Sequence, residues 1–322
     1  MRIAAIDLGS NTVKLTIADT NRTHAASGAD RYDERTEEIL LVEECAAVTR
    51  IGQRLDATGH LEPAAIERTL VALRQFADRA RALGVEKIGC VGTAGLRGAS
   101  NAPSFLARVE RETGIRIEII DGLREAALSF QAAVAAYGPG ALLVLDVGGR
   151  STELILGSGA GIEARVSMEI GSVRLTERYV RSDPPRIEEL DEARRAIGTA
   201  LEQAPSWTRS AVAPPRPTLI GVSGTVMSVM GVALGLDDMR EAVSQGEGRL
   251  LALATIQEVF DDLRQKTTPE RVRGTVIPEG RADVIVCGVL IMLEVLAHYG
   301  LDAMRASNRG VRYGLLRELA SS

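Results

Sequence analysis

Two carboxylates, two glycines and two hydroxyl side chains stand together near the middle of the chain, in the segment Asp-Val-Gly-Gly-Arg-Ser-Thr-Glu over residues 146–153. Apolar runs on both sides give this segment the pattern of a strand, a tight turn and a second strand. Gly148 and Gly149 allow backbone conformations that are closed to other residues, so their N–H groups can converge on phosphate oxygens. Asp146 and Glu153 could then reach a Mg²⁺ ion or a water molecule beside the phosphate. The alternative is an ordinary hairpin with solvated carboxylates.

The same arrangement recurs at the start of the chain. An apolar run leads into Asp7, Gly9 and a group of polar side chains follow, and a second apolar run extends to residue 17. Two phosphate-type hairpins in one chain predict two related halves that face a single cleft.

Length and composition define the class of protein. The chain has 322 residues, enough for two domains, and its 45% hydrophobic and 25% charged residues are typical of a soluble globular protein. We find no apolar run long enough to span a bilayer and no signal-peptide pattern at the N-terminus, so we expect a cytoplasmic protein without a membrane partner.

The charge of the chain bears on its partners. The formal net charge of −5 argues against a nucleic-acid-binding protein, for which a basic surface is expected. It leaves an anionic substrate open, because backbone N–H groups, helix N-termini and Mg²⁺ supply positive potential locally.

Cysteine and histidine are few and scattered. The cysteines at 45, 90 and 287 lie far apart among apolar neighbours, which favours buried free thiols over disulfides or metal ligands. None of the histidines at 24, 60 and 298 lies near another or near the glycine turns, so we expect neither a histidine metal site nor a catalytic triad.

Strands and helices alternate along the chain, which predicts an α/β fold. Besides the two hairpins, we predict strands over residues 23–29, 38–48, 87–91, 115–120, 163–169, 218–222 and 304–306. We predict helices over residues 62–83, 102–113, 123–137, 172–180, 186–203, 226–234, 252–264, 281–298 and 311–320, and a loop over 204–217.

Three further positions could carry chemistry. Arg97 follows a strand in a glycine-containing loop, where its guanidinium could clamp a phosphate or could simply be solvated. Glu125 stands in the first turn of a helix, either as a catalytic group or as a surface residue that compensates the helix dipole. Ser172 begins a helix, whose first N–H groups we expect to be free to point at a ligand.

With these residues in view, the chain resembles the exopolyphosphatase and guanosine pentaphosphate phosphohydrolase family, within the acetate kinase, sugar kinase, heat-shock 70 and actin superfamily. The matching segments follow the family order over nearly the whole chain. They are residues 7–11, 92–97 with Asn101, 125–126, 146–153, 171–177, 221–225, 281–285 and 309–312.

The resemblance implies an α/β fold of two ribonuclease-H-like (actin-like) domains that flank an interdomain cleft. Residues 1–123 with 306–322 would form the first domain, and residues 124–305 the second. It also implies a hinge near residue 123, a terminal helix that folds back on the first domain, and a homodimer.

The resemblance further implies roles for individual residues. Glu125 would be the general base that activates water, with Glu153 helping to position that water. Asp146, Asp7 and Glu153 would hold Mg²⁺. The substrate would be bound by Asp7, Gly9, Ser10, Asn11, Thr12, Arg97, Gly148, Gly149, Arg150, Ser151, Ser172, Ser223 and Gly224.

The leading hypothesis is an exopolyphosphatase that removes terminal phosphate from inorganic polyphosphate with Mg²⁺ as cofactor. One alternative is hydrolysis of the 5′-terminal phosphate of guanosine pentaphosphate. Another is a non-enzymatic regulator that binds polyphosphate or a (p)ppGpp-type alarmone. A kinase of the superfamily is disfavoured, because Glu125 suits water activation and no acceptor domain is recognisable.

Three positions depart from the family pattern. Arg150 replaces a usual third glycine, and we expect backbone strain there if the turn needs a positive φ, together with a substrate contact. The alternatives are a guanidinium that points to solvent and a side chain that obstructs a close approach of the backbone to the substrate. Asp121 replaces a common serine, with Arg124 beside Glu125 instead of a second acidic residue. The run 12–14, Thr-Val-Lys, replaces a serine, an aromatic residue and a histidine.

Overall fold

The computed structural model describes residues 1–22, 37–210 and 216–322. Its strands are β1 (Arg2–Leu8), β2 (Thr12–Arg22), β3 (Glu37–Val48), β4 (Lys87–Gly92), β5 (Ile117–Ile119), β6 (Leu142–Val147), β7 (Thr152–Ser158), β8 (Gly161–Met168), β9 (Thr218–Val222), β10 (Leu250–Ala252) and β11 (Ala303–Ser307).

The helices alternate with these strands. They are α1 (Leu55–Thr58), α2 (Pro63–Ala82), α3 (Ala102–Thr113), α4 (Gly122–Tyr137), α5 (Ser172–Tyr179), α6 (Ile187–Glu202), α7 (Trp207–Ser210), α8 (Gly224–Ala233), α9 (Met239–Gly246), α10 (Leu253–Leu263), α11 (Thr268–Val272), α12 (Glu279–Ala282), α13 (Ile285–Tyr299) and α14 (Val311–Ser321).

Two sheets repeat one topology. The first has the order β3-β2-β1-β4-β5, with β1, β2 and β3 antiparallel and β4 and β5 parallel to β1. The second has the order β10-β11-β9-β6-β7-β8, again with an antiparallel triplet (β6, β7, β8) followed by parallel strands (β9, β11). Short turns join β1 to β2, β6 to β7 and β7 to β8, and helices lie in the connections between the parallel strands β4 and β5 and between β9 and β11. The predicted fold class, α/β with two related halves on either side of a cleft, is confirmed.

Each half has its own core. In the second half the core surrounds α13, whose residues from Ile285 to Leu293 are all buried. A helix that is apolar on every side must be buried on every side, which explains its central place. Within the described residues, no helix combines the length and the apolar character that crossing a bilayer demands. The three cysteines are free thiols, and Cys90 and Cys287 are buried.

The terminal helix α14 packs against the first sheet and against α4. Val311, Leu315 and Leu316 join a cluster with apolar side chains of β1 and α4. The two helices approach so closely that a Cβ atom at Gly314 would overlap the carbonyl oxygen of Leu128. The domain boundaries at residues 123 and 306 stay a prediction.

Some predicted elements differ from the structure. The predicted helix 281–298 is two helices, because the chain turns at Asp283 and Val284. Polar contacts accompany this break: Asp283 pairs with Arg50 of the first half at 2.7 Å, and Arg281 donates to the carbonyl of Gly224 within the second half. Hydrophobic periodicity carries no signal for such contacts.

Other differences are smaller. The predicted loop 204–217 contains α7, the predicted strand 115–120 is shortened to β5, and the short elements α1, α9, α11 and β10 were not predicted. The strand predicted over residues 23–29 lies outside the described residues.

Candidate active site

Two equivalent hairpins form the floor of the cleft. In the first, the N–H of Gly9 donates to the carbonyl of Thr12 at 3.1 Å; in the second, the N–H of Gly148 donates to the carbonyl of Ser151 at 2.9 Å. The tips meet, since a Cβ atom at Gly149 would lie 3.2 Å from the Cβ of Ser10. The two predicted hairpins therefore face each other in one cleft.

The reason for the glycines differs from our expectation. None of Gly9, Gly148 and Gly149 has a positive φ, so the prediction of special backbone conformations is wrong. Close approach explains them instead. A Cβ at Gly148 would lie only 2.8 Å from the carbonyl oxygen of Ser151, inside the turn.

A cavity of about 110 Å³ lies between the hairpins. Its lining includes most of the predicted site residues, namely Asp7, Gly9, Ser10, Asn11, Thr12, Glu125, Asp146, Gly148, Gly149, Arg150, Ser151, Ser172, Ser223 and Gly224. Two predicted residues do not line it. Glu153 is buried behind the wall, opposite Asp146 in the β6–β7 pairing, and Arg97 lines the neighbouring cavity.

Four carboxyl groups lie in and beside this cavity; Glu125 and Glu153 are buried, and Asp7 and Asp146 are partly buried. Burial raises the pKa of Asp7, and it raises that of Asp146 to about 6. Burial and the charge of Asp146 raise the pKa of Glu153 to about 7. Burial and the charge of Glu153 raise the pKa of Glu125 well above its ordinary value. Ser129 donates to Asp146 at 2.8 Å and Ser167 to Glu153 at 2.6 Å, which fixes the orientation of both carboxyl groups.

The first turn of α4 positions Glu125. The side chain of Asp121 caps this helix by accepting from the N–H of Arg124 at 2.7 Å. Glu125 is 9% exposed and lies 3.2 Å from Arg97, which also donates to the carbonyl of Ile120. Glu125 is thus no surface residue and Arg97 no freely solvated one. The phosphate contact predicted for Arg97 stays a prediction.

Arg150 shows neither the expected backbone strain nor the solvent-exposed guanidinium of one alternative. It has no positive φ, so the predicted strain is absent, and its side chain is 2% exposed, so it does not point to solvent. Its guanidinium donates to the carbonyl of Gly52 at 3.1 Å and pairs with Asp56, both in the first half. The side chain of Arg150 therefore joins the two halves. The substrate contact predicted for it stays a prediction.

The start of α5 does not offer free donors. The N–H of Ser172 donates to the carbonyl of Gly148 at 3.0 Å, and those of Val173 and Arg174 donate to the carbonyl of Gly149. The prediction of ligand-directed N–H groups at Ser172 is therefore wrong. The helix start holds the second hairpin in place.

The start of α8 is strained. Ser223 caps the helix by accepting from the N–H groups of Thr225 and Val226, and its φ of 152° with ψ of 171° is a conformation nearly restricted to glycine. Such strain costs about 1–3 kcal/mol and is retained mainly at functional sites.

Three cations that sequence reasoning did not assign to the site also line the cavity. They are Lys14, Arg281 and Arg312. Lys14 lies on β2 opposite Asp7, and burial lowers its pKa to about 8. Arg312 donates to Glu44 at 2.6 Å. Signals for all three were present: Lys14 is one of three lysines in the chain and interrupts an apolar strand, and both arginines lie in segments that carry the family resemblance.

The donor atoms around the cavity suit a hard cation. Oδ1 of Asn11 and Oγ1 of Thr12 are buried without a hydrogen-bond partner among the described residues, and the carboxylates of Asp7 and Asp146 lie beside them. Oxygen ligands of this kind are those that Mg²⁺ prefers. The described residues contain no group of three His, Cys, Asp or Glu side chains that could hold a metal ion. The predicted set of Asp7, Asp146 and Glu153 is thus not assembled in this conformation.

Comparisons with known proteins complete the description of the site. Residues 32–322 match the model of the Ppx/GppA phosphatase family. Exopolyphosphatase 2 of Mycobacterium tuberculosis is 32% identical over 99% of this chain and 98% of its own length. A guanosine-5′-triphosphate,3′-diphosphate pyrophosphatase of Photobacterium profundum is 29% identical over 99% of this chain and 59% of its own length.

Solved structures show the same likeness. The structure of an exopolyphosphatase-like protein superposes with a TM-score of 0.85 at 31% identity, covering 100% of this chain and 99% of that one. An exopolyphosphatase from Cytophaga hutchinsonii superposes with a TM-score of 0.84 at 27% identity, covering 100% and 98%.

Proposed function

The chain belongs to the Ppx/GppA phosphatase family, and on this premise we propose that it is an exopolyphosphatase, which releases terminal phosphate from inorganic polyphosphate by hydrolysis. The observation that carries the proposal is Glu125. This carboxylate is buried at the edge of the cavity, has a raised pKa and is held in place by Arg97.

Glu125 acts as the general base. A carboxylate whose pKa is raised accepts a proton from water more readily than an ordinary glutamate. Glu153 is coupled to it by charge and helps to position the attacking water. The contact with Arg97 orients the carboxylate of Glu125 before substrate binds.

The rest of the cavity binds the phosphoryl oxygens. The hydroxyls of Ser10, Thr12 and Ser151 lie on the two hairpins, and Lys14 and Arg281 add positive charge. Phosphoryl transfer to water depends mainly on such positioning and charge neutralisation.

Mg²⁺ is the cofactor that we propose for this site. Asp7 and Asp146 would hold it, with water and substrate oxygens as the remaining ligands. When bound, the ion would neutralise charge on the phosphoryl oxygens. The raised pKa values of both carboxyl groups favour this assignment, because a nearby cation would offset the cost of their buried negative charge.

A second candidate substrate is guanosine pentaphosphate, hydrolysed at its 5′-terminal phosphate. The similarity to the pyrophosphatase of Photobacterium profundum favours it. A non-enzymatic regulator is a weaker alternative, because the raised pKa of Glu125 supports a role in hydrolysis. For the whole protein we propose a cytoplasmic homodimer, which light scattering on a sizing column would test.

A phosphate-release assay decides among these substrates. The wild-type protein and Glu125→Gln are each incubated with long-chain polyphosphate, tripolyphosphate, guanosine pentaphosphate and ATP in the presence of Mg²⁺. We expect release from polyphosphate by the wild type and almost none by the variant. Release from guanosine pentaphosphate alone would favour the second candidate, and release from ATP alone would contradict both.

A further inference from the structure

A second cavity, of about 710 Å³, adjoins the candidate active site. The two cavities share a wall made by Ala94, Arg150 and Ser151. Arg97 and Ser167, which contact the carboxyl groups of Glu125 and Glu153, line the second cavity and not the first. The two carboxyl groups assigned to hydrolysis therefore lie at the boundary between the cavities.

Arginines dominate the charge of the second cavity. Arg97, Arg150, Arg165 and Arg174 line it, against three carboxylates. Of these carboxylates, Asp121 caps α4 and Glu169 is 87% exposed at the rim. Arg174 also pairs with Glu169 at 2.5 Å and Arg97 with Glu125 at 3.2 Å. The guanidinium groups of the lining exceed its carboxylates by one charge.

The third carboxylate, Asp56, lies between two of these arginines. It pairs with Arg150, and its Oδ2 lies 3.1 Å from the buried Nε of Arg174, in an ion pair that does not have the geometry of a hydrogen bond. Burial and, as the second cause, the charge of Arg174 lower the pKa of Arg150 to about 10. The two guanidinium groups are therefore close enough to repel each other. Two guanidinium groups around one oxyanion are a common way of binding phosphate.

Asp56 is also displaceable. Its side chain is 50% exposed, and it stands on the one-turn helix α1. The residue before that helix, Arg54, has a left-handed φ of 57°, which is strained for a residue other than glycine. The carboxylate of Asp56 can therefore leave its position between the guanidinium groups of Arg150 and Arg174.

We propose that this second cavity binds inorganic phosphate, and that it receives the phosphate released at Glu125 when Asp56 gives up its place between Arg150 and Arg174. The inference rests on the proposed function. Gly224 and Arg281 line the first cavity and not the second, so a polyphosphate chain that extends toward them would leave the shared wall free as a route for the released phosphate. No covalent step is involved.

Direct titration of the protein with inorganic phosphate tests the site without using activity. We expect Asp56→Asn to bind phosphate several-fold more tightly, because the competing carboxylate is neutralised. We expect Arg174→Met to bind it about tenfold more weakly. The matched control is Arg178→Met, an exposed arginine on the same helix that lines neither cavity. The proposal would be overturned if Asp56→Asn and Arg174→Met both bound phosphate with the affinity of the wild type.

Kinetics then separate the two sources of phosphate. A product site predicts that Arg174→Met weakens inhibition by phosphate while KM changes equally for tripolyphosphate and long chains. A rise in KM for long chains alone would show that the cavity holds distal substrate phosphates, and would overturn the product assignment.

Should the protein release no phosphate from any polyphosphate, the titration still stands as a test of the cavity. Asp56→Asn keeps this test informative if Arg174→Met fails to fold, because Asp56 is half-exposed.

Discussion

Replacement of Glu153 by glutamine should change how stability depends on pH. Glu153 is 1% exposed on β7, lies directly opposite Asp146, and has a pKa raised to about 7 by burial and by the charge of Asp146. Glutamine keeps the shape of the side chain and can still accept the hydrogen bond from Ser167, but it never becomes charged. The substitution therefore removes one buried ionisation with little change in packing.

The sign and size follow from the two pKa values. In the unfolded chain the carboxyl group has its ordinary pKa of 4.5, so between about pH 4.5 and 7 the folded protein holds a proton that the unfolded chain has lost. The stabilisation from this proton is fully present below pH 4.5 and is lost as the pH rises through 7. The difference between the two values corresponds to about 3 kcal/mol. At pH 8 Glu153→Gln should be more stable than the wild type by up to about that amount, and near pH 4.5 the two should be equally stable.

Thermal melting between pH 4.5 and 8, without divalent cations, measures the effect. The melting temperature of the variant should exceed that of the wild type by roughly 5–10 °C at pH 8 and by almost nothing at pH 4.5. Glu163→Gln, at an exposed position of β8 in the same sheet, is the matched control and should show no such trend. A variant that melts below the wild type at pH 8, or a difference that does not vary with pH, would refute the reasoning.

Four further outcomes are expected. Glu125→Gln should abolish most turnover and leave polyphosphate binding nearly unchanged, because an amide cannot take a proton from water; equal loss in a binding titration would make Glu125 structural. Asp146→Asn should raise the Mg²⁺ concentration that gives half-maximal activity, since an amide is a poorer ligand than a carboxylate; an unchanged metal requirement would count against that role. Gly314→Ala should lower the melting temperature, because its Cβ would overlap the backbone of α4, whereas the exposed change Ala64→Gly on α2 serves as a mild control. Arg150→Gly should destabilise the protein by about 1–3 kcal/mol in urea unfolding, because the buried carbonyl of Gly52 loses its donor while the half-exposed Asp56 can be solvated; a stabilised variant would contradict a stabilising role of Arg150 between the two halves.

The parts of the site that sequence predicted are those set by local chain geometry. In each hairpin an apolar run, a carboxylate, a glycine and hydroxyls follow one another within ten residues, so strand, turn and strand could be predicted from neighbours alone. The position of Glu125 in the first turn of α4 could be predicted for the same reason, since Asp121 and Gly122 mark the start of that helix in the sequence.

The parts that sequence did not predict depend on partners far along the chain. Arg150 and Asp56 are 94 residues apart, and only the assembled cleft brings the guanidinium back to the first half. The N–H groups at the start of α5 looked free because their acceptors, the carbonyls of the second hairpin, belong to a different element. A helix start carries no local sign of whether a ligand or another part of the protein accepts from it.

The cations in and beside the cleft are fixed before substrate arrives, whatever the net charge of the chain. Arg281 is held by the carbonyl of Gly224, Arg312 by Glu44, and Arg97 by the carbonyl of Ile120. Cations held in this way need no reorganisation when charge shifts along the breaking phosphoanhydride bond, and that is the condition under which electrostatic stabilisation is most effective. A protein with a net charge of −5 can thus bind a polyanion, because the field that the substrate meets is set by groups within a few ångströms, while distant surface carboxylates are screened by solvent and salt.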